Sequence, residues 1–373
     1  MKTYDSIVIG GGILGCASAY ELAKFGQKVL LIEKEYLSSG STGRCISGIR
    51  QQFSTPGTIK LAMLSVRIFK ELHEKFEIEW HQGGYLFIAS SQSQKEKFLE
   101  LIKIQQQMKL PVEFIEPKEV LKIVPYLQLE NLVGGSYCST DGQANPFLVL
   151  QNYAKQIKEL KGEILTFTKV LKIQKNHTFS VFTSPNDRYK ASVIINAGGP
   201  WAQEVHKSVG AIQELPLYLE RHEALITEPT EYLFDPMIVS YDPSCYFQQL
   251  HSTGQIIGCY TPDYPDKGIN RDSSFEFAPE FSSRALKIMP KLTELKVLRS
   301  WAGWYTMTPD GNPIIGETQV PGFFLIGGGS GHGFMLGPAL GKVLAELICQ
   351  KPMSIPIDEF SLNRSFSAKE SLK

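Results

Sequence analysis

The chain carries no charge imbalance: thirty-eight basic residues meet thirty-eight acidic ones, for a formal net charge of zero. That removes the general electrostatic pull toward nucleic acid or an anionic membrane surface, leaving only local patches to supply one. It has no CxxC pair and no zinc-type spacing, its six cysteines (Cys16, Cys45, Cys138, Cys245, Cys259, Cys349) being scattered. With no signal segment evident, this usage reads as free thiols in a reducing, cytoplasmic compartment, and no metal site is expected. A membrane-length hydrophobic run is missing too, since residues 7–20 are too few and too rich in glycine to span a bilayer. Internal repeats, low-complexity tracts and long charge runs are likewise absent. The expected partner is a small molecule or another protein. What is present is 373 residues, 43% hydrophobic and 20% charged, an ordinary globular composition with core for two or three domains.

Residues 4–9 are rich in β-branched side chains, the pattern of a buried parallel strand. The strand runs into Gly10-Gly11-Gly12-Ile13-Leu14-Gly15, a G-x-G-x-x-G match at Gly10, Gly12 and Gly15. Residues 16–25 then read as a helix stopped by Gly26, and residues 28–32 as a second strand ending at Glu33. Gly10 permits the tight turn, Gly12 lets backbone approach a pyrophosphate, and Gly15 lets helix pack on strand. The helix N-terminus offers free N–H groups to phosphates, and Glu33 can accept hydrogen bonds from ribose hydroxyls while repelling a 2′-phosphate. Glycine-rich turns are common, but strand, turn, helix, second strand and terminal acid fall here in the order a dinucleotide site requires.

An NAD-only enzyme would continue in alternating strands and helices, and this chain does not. A loop of small residues, Ser38 to Arg44, follows Glu33 closely. A later apolar strand, residues 191–196, ends in Ala197-Gly198-Gly199-Pro200-Trp201. Another, residues 322–326, runs into Gly327-Gly328-Gly329-Ser330-Gly331-His332-Gly333, with a helical stretch at residues 338–348 beyond it. Separated strand ends supplying glycine-rich backbone suit one long cofactor. A second, independent dinucleotide site at the last loop would need a following strand with an acidic tip, and residues 351–356 are broken by proline. A helix N-terminus there suits the flavin edge on which negative charge gathers on reduction.

On these segments the chain resembles the D-amino-acid-oxidase-like family of FAD-dependent oxidoreductases, whose branches include sarcosine oxidase, glycine oxidase and dye-linked L-proline dehydrogenase. The resemblance rests on residues 9–15 with Glu33, on 41–52, on I-I-N-A-G-G-P-W-A at 194–202, on T-M-T-P-D-G-N-P-I-I-G at 306–316 and on G-G-G-S-G-H-G-F-M-L-G at 327–337. These span nearly the whole chain in the family's order. Residues 43–53 look most like the β-subunits of heteromeric sarcosine oxidase and dye-linked proline dehydrogenase. The resemblance implies an α/β fold in which a Rossmann-like FAD-binding domain of the glutathione-reductase type (residues 1–80, 139–215 and 300–373) is interleaved with an antiparallel-sheet substrate domain (81–138 and 216–299). Local sequence agrees: residues 84–89 and 255–259 read as strands, residues 94–108 as a polar helix.

The resemblance further implies a site that moves a hydride from the Cα of a small amino acid to flavin N5, the protein orienting the substrate and favouring its neutral amine. Contacts to FAD are expected from Gly10, Gly12, Ile13, Leu14 and Gly15, from Glu33 and Lys34, and from Ser41, Thr42, Arg44 and Cys45. Val170, Ala197, Gly198, Trp201 and Gly303 follow, and then Gly329, Gly331, His332, Gly333, Phe334 and Met335. Arg50 aligns with an arginine that binds substrate carboxylate, for which a guanidinium fork is well shaped; an ion pair at the surface is its plainer alternative. Arg44 would serve cofactor or fold. Tyr246 aligns with a tyrosine over the substrate, Tyr260 with an active-site histidine, and either could be a core aromatic. His332 lies in the flavin-side loop. His222, between Arg221 and Glu223, could reach the pocket, and both histidines rank below Arg50 and the tyrosines.

Departures from the family sharpen the expectation. Monomeric sarcosine oxidase attaches FAD to a cysteine two residues before its Y-T-x-T-P-D motif; Gly303 stands there, so FAD should be non-covalent. A lysine that assists reaction with oxygen aligns with Ile256, and a second carboxylate-binding lysine with Met335. Loss of the first lysine favours a dehydrogenase over an oxygen-using oxidase, with L-proline and sarcosine the first substrate choices and an oxidase or a 2-hydroxy-acid dehydrogenase the alternatives. The histidine that carries FMN in heteromeric sarcosine oxidase, near the helix at residues 146–160, is missing. The β-subunit likeness implies an electron-accepting partner, a flavin or iron–sulfur subunit, or a quinone or dye in its place. A non-enzymatic nucleotide-binding relative is the remaining alternative.

Overall fold

The computed structural model describes residues 2–263 and 265–372. Two eight-stranded sheets organise it. In the first, the β-branched run of Lys2–Ile9 lies between Val29–Ile32 and Arg188–Asn196, all parallel, with Phe323–Gly327 and Glu163–Leu165 extending the parallel set outward. Strands buried on both faces carry near-continuous apolar sequence, and Val29–Ile32 is buried throughout. Ile314–Glu317 adds an antiparallel edge, and the hairpin Lys172–Lys175 with Phe179–Phe182 pairs with the start of Arg188–Asn196.

Two helices cover one face of this sheet. Ile13–Lys24 begins three residues earlier than its apolar pattern suggests, because Gly12 caps it directly. Gly333–Ile348 also begins early, with Pro338 inside it at the sixth residue, where the missing N–H leaves the carbonyl of Phe334 without its helical donor. These helices, with Pro56–Phe76, share one apolar cluster that includes Cys16, Leu22, Phe69, Leu340 and Leu344.

The second sheet runs Val297–Met307, Tyr218–Pro229, Gln255–Cys259, Ser244–Gln249, Met237–Tyr241, Tyr85–Ala89, Gly134–Cys138, Val112–Ile115. Every pairing is antiparallel except that of Met237–Tyr241 with Tyr85–Ala89. Strand alternation sorts its side chains. Leu86 and Ile88 join Phe277, Phe281 and Ala285 of the helix Phe277–Ile288 in one core, whereas Tyr85 and Phe87 turn the other way, toward the first sheet. Val297–Met307 pairs along its length with Tyr218–Pro229, so a boundary at residue 300 cuts through a strand of this sheet. Among the described residues no helix is long and apolar enough to cross a membrane.

Candidate functional site

A cavity of about 630 Å³ lies between the two sheets, within the size range of small-molecule and cofactor sites. Its first end is built by the parallel strand tips. Gly10, at φ +117°, adopts a backbone open only to glycine, and a Cβ there would meet the carbonyl of Ala197 at 2.3 Å. Gly15 is not in the cavity wall; its missing Cβ lets the helix sit on Gly10, whose carbonyl would be 1.9 Å from such an atom. Glu33, almost fully buried, accepts hydrogen bonds from Gly11 N at 2.6 Å and Glu35 N at 2.8 Å. Thr42 Oγ1 takes the N–H of Ile13 at 3.1 Å. Lys34 lies over the ring of Trp201, 3.2 Å from its centroid, and its desolvation lowers its pKa. Asn196 shapes the next turn, accepting from Gly198 N and donating to the carbonyl of Ala202.

In the middle, Arg44 donates to the carbonyls of Ser39 and Gly40 and lies over Trp304, so its cation braces the loop. Ser41 bonds the carbonyl of Trp304 at 2.7 Å. The final glycine loop ends at His332, which precedes the helix Gly333–Ile348. Neither Gly12 nor His332 caps its own helix through a side chain, and apart from the Ile13 N–H held by Thr42, two helix N-termini direct first-turn N–H groups at one cavity.

The second sheet closes the other end. Tyr246 and Tyr305 join their hydroxyls at 3.0 Å, and burial pushes both phenols well above the usual range, as it does Tyr85. Of the cavity's cysteines, burial raises Cys45 to about 12 and lifts Cys259 further, so both remain thiols. Arg50 is buried, 4% exposed, with Phe53 and Phe87 against its guanidinium. Its Nη2 lies 2.8 Å from His332 Nε2 and donates to the carbonyl of Leu372. The loop that carries it is fixed by Asp141, which accepts from Gln51 N at 2.8 Å and from the side chains of Gln51 and Gln52.

Every residue expected to contact the cofactor, Gly15 aside, lines this cavity, from Gly10, Glu33 and Val170 to Gly303 and Met335. Arg50, Tyr246 and His332 meet there. Tyr260 does not: it falls just past its strand, its ring stacked on Phe277 with Arg284 over it. Ile256 is also turned away, into the core beneath the helix Phe277–Ile288, so its identity says nothing about oxygen at the flavin face. For Tyr260 the neighbour in the other strand phase, Cys259, is the residue in the cavity wall. Tyr85, Glu220, Tyr241 and Tyr305 are cavity residues that motif matching passes over; their signal is the two-residue alternation of Glu220 and His222 and of Tyr85 and Phe87.

The frame fits FAD: glycine backbone at three strand ends, a buried acid at the second strand tip and two helix N-termini at the cavity wall. Residues 5–347 match the FAD dependent oxidoreductase family. The chain belongs to that family. Among similar proteins is the glycine oxidase of Bacillus licheniformis, 26% identical over 97% of this chain and 98% of its own length. The sarcosine oxidase subunit beta of Rhodobacter capsulatus is 27% identical over 97% of this chain and 89% of its own. The crystal structure of L-proline dehydrogenase from P. horikoshii superposes with a TM-score of 0.94 and 34% identity, over 99% of each chain. In this FAD-dependent oxidoreductase the first sheet's strand ends face the aromatic wall of the second across one cavity. Among the described residues no cluster of histidine, cysteine and carboxylate side chains could hold a metal ion.

Proposed function

We propose that the chain is a dehydrogenase of a small secondary or α-amino acid, L-proline and sarcosine being the first candidates. The observation that carries this reading is Arg50: a buried guanidinium in the cavity wall, with no hydrogen bond on its Nη1 or Nε among the described residues. A carboxylate is the ligand such a fork fits. Around it Tyr85, Phe87 and Met237 offer a surface suited to a compact ring or an N-methyl group. FAD, when bound, supplies the hydride acceptor. Arg50 and the aromatic wall hold the substrate Cα in place and exclude water.

Two observations support a dehydrogenase over an oxidase. The likeness to an L-proline dehydrogenase reaches 34% identity, and no lysine of the second sheet lines the cavity to favour reduction of oxygen. Non-covalent FAD is supported by Gly303, which offers no nucleophile, and by the high thiol pKa values of Cys45 and Cys259. We also read residues 1–80, 139–215 and 300–373 as the FAD-binding unit and 81–138 with 216–299 as the substrate unit; the two sheets favour moving the last boundary to about residue 297. An electron-accepting partner is supported by the likeness to a sarcosine oxidase subunit beta. A second cavity, of about 540 Å³, shares Arg44 with the first and is lined by Phe147, Arg271 and Arg299, giving such an acceptor a place to approach.

Anaerobic titration of the FAD-loaded protein with proline, sarcosine, glycine, D-amino acids and 2-hydroxy acids tests the reading. Bleaching of the flavin by proline or sarcosine with slow recovery in air is expected. Fast peroxide release would make the protein an oxidase, and bleaching by 2-hydroxy acids alone would remove the amine.

A further inference from the structure

An amino acid near neutral pH carries an ammonium group, whose nitrogen has no lone pair to stabilise a Cα losing hydride. Some group must therefore take one proton before transfer. Most ionisable groups at the second-sheet end of the cavity are unsuited. Arg50 only donates, His332 Nε2 already accepts from Arg50, and burial keeps Tyr85, Tyr246, Tyr305, Cys45 and Cys259 protonated. Glu223 is committed to Arg221 at 2.9 Å and to the N–H and hydroxyl of Ser274.

His222 differs. It is 6% exposed and lines the cavity, yet neither ring nitrogen has a hydrogen-bond partner among the described residues. Two buried, unpaired polar atoms on one ring are costly unless a ligand satisfies them. Its position is set on both sides: the backbone pairs His222 with Gly303, and the ring stacks on Tyr305 with centroids 3.9 Å apart. Glu220, two residues earlier on the same face of the strand, brings Oε2 to 3.6 Å from His222 Nε2. That leaves Nδ1 as the ring nitrogen turned from the carboxylate.

We infer that His222 is a further catalytic residue, the base that accepts the ammonium proton of the bound amino acid, with Glu220 as its positioning partner. This rests on the amino-acid reading above. One N–H bond of the ammonium breaks and one forms at the ring. The electron pair stays on the substrate nitrogen, and Glu220 faces the new imidazolium charge. The other ionisable groups on the elements around the ring are Tyr305 across the strand pairing, Cys259 on the neighbouring strand, Tyr246 one strand beyond it and bonded to Tyr305, and Arg44 packed against Gly303.

The test uses the FAD-loaded protein and His222→Asn, with His222→Gln as a second variant. At pH 7, kcat/KM should fall by about 100-fold or more in His222→Asn. It should recover as pH approaches the ionisation of the free amine, which then arrives already neutral. Binding of 2-aminoisobutyrate, which has no Cα hydrogen, supplies a readout without turnover. Both variants should bind it more weakly than the unaltered protein at pH 7, having no ring nitrogen to take its proton, while still binding 2-furoate. A loss of kcat/KM equal at every pH, an unchanged affinity for 2-aminoisobutyrate, or loss of FAD with the activity would each overturn the role. Should no amino acid bleach the flavin of the unaltered protein, it is the amino-acid reading that fails.

Discussion

Nη2 of Arg50 stands 2.8 Å from Nε2 of His332, the residue that opens the helix Gly333–Ile348. Arginine can only donate, so Nε2 accepts and the ring proton sits on Nδ1. The contact ties the proposed carboxylate fork to the final glycine loop of the cavity. Arg50→Ala should raise KM for a carboxylate substrate by about 100-fold, the worth of roughly 3 kcal/mol of charge-assisted hydrogen bonding. Arg50→Lys should recover little, because an ammonium is a point charge and not a fork. Flavin content measured by absorbance should be unchanged in both; loss of FAD would assign Arg50 to the cofactor.

The same guanidinium donates to the carbonyl of Leu372, and Glu370 holds that segment in place. Its buried carboxylate accepts from Ser54 N at 2.9 Å, Ser54 Oγ at 2.7 Å and Thr55 N at 3.2 Å. Glu370→Ala leaves those donors unpaired and should cost roughly 1–3 kcal/mol of stability. With Leu372 released, Nη2 gains a free N–H, so KM for a carboxylate substrate should fall. Chemical denaturation and steady-state kinetics on the same variant check the two effects separately.

Asp141 gives the loop bearing Arg50 a pH dependence. It is fully buried, and desolvation lifts its carboxyl from 3.8 to about 6 despite the hydrogen bonds from Gln51 and Gln52. A folded-state pKa above the unfolded value means the native protein holds its proton more tightly. This contribution is present in full below about pH 4 and is lost as pH rises through about 6. The shift of about two units is worth up to ~3 kcal/mol. Relative to Asp141→Asn, whose side chain does not ionise, the unaltered protein should therefore lose stability between pH 4 and pH 7. Unfolding midpoints of the pair across that range measure it; a constant difference would show that Asp141 does not titrate there.

The parts of this molecule that repeat a local rule were readable from the chain. Gly10, Gly12, Gly15 and Glu33 follow from turn geometry and a parallel strand, and they fall where the rule puts them. The wall opposite was harder to read. Which residue at Gln255–Cys259 faces the cavity depends on strand phase, and a one-residue slip exchanges Cys259 for Tyr260. His222 was visible, but its burial and unpaired ring nitrogens exist only once Tyr305 is stacked on it. The contact of Leu372 with Arg50 joins residues 322 positions apart and has no local signature.

Gly15 provides the sharpest separation between fold and cofactor. An alanine Cβ there would lie 1.9 Å from the carbonyl oxygen of Gly10, an atom of rigid backbone that cannot step aside. The helix Ile13–Lys24 must then tilt off the sheet, and its N-terminal N–H groups lose their aim at the cavity. Gly15→Ala should cost at least about 1–3 kcal/mol of overpacking strain and release FAD from the purified protein. Gly26 offers the control. It lies at the far end of the same helix at φ +85°, with nothing within 4 Å of an added Cβ. Gly26→Ala should cost roughly 1 kcal/mol for its left-handed backbone and leave flavin content intact. Equal loss of FAD from both variants would mean that helix stability, and not the seating of its N-terminus against Gly10, controls the cofactor.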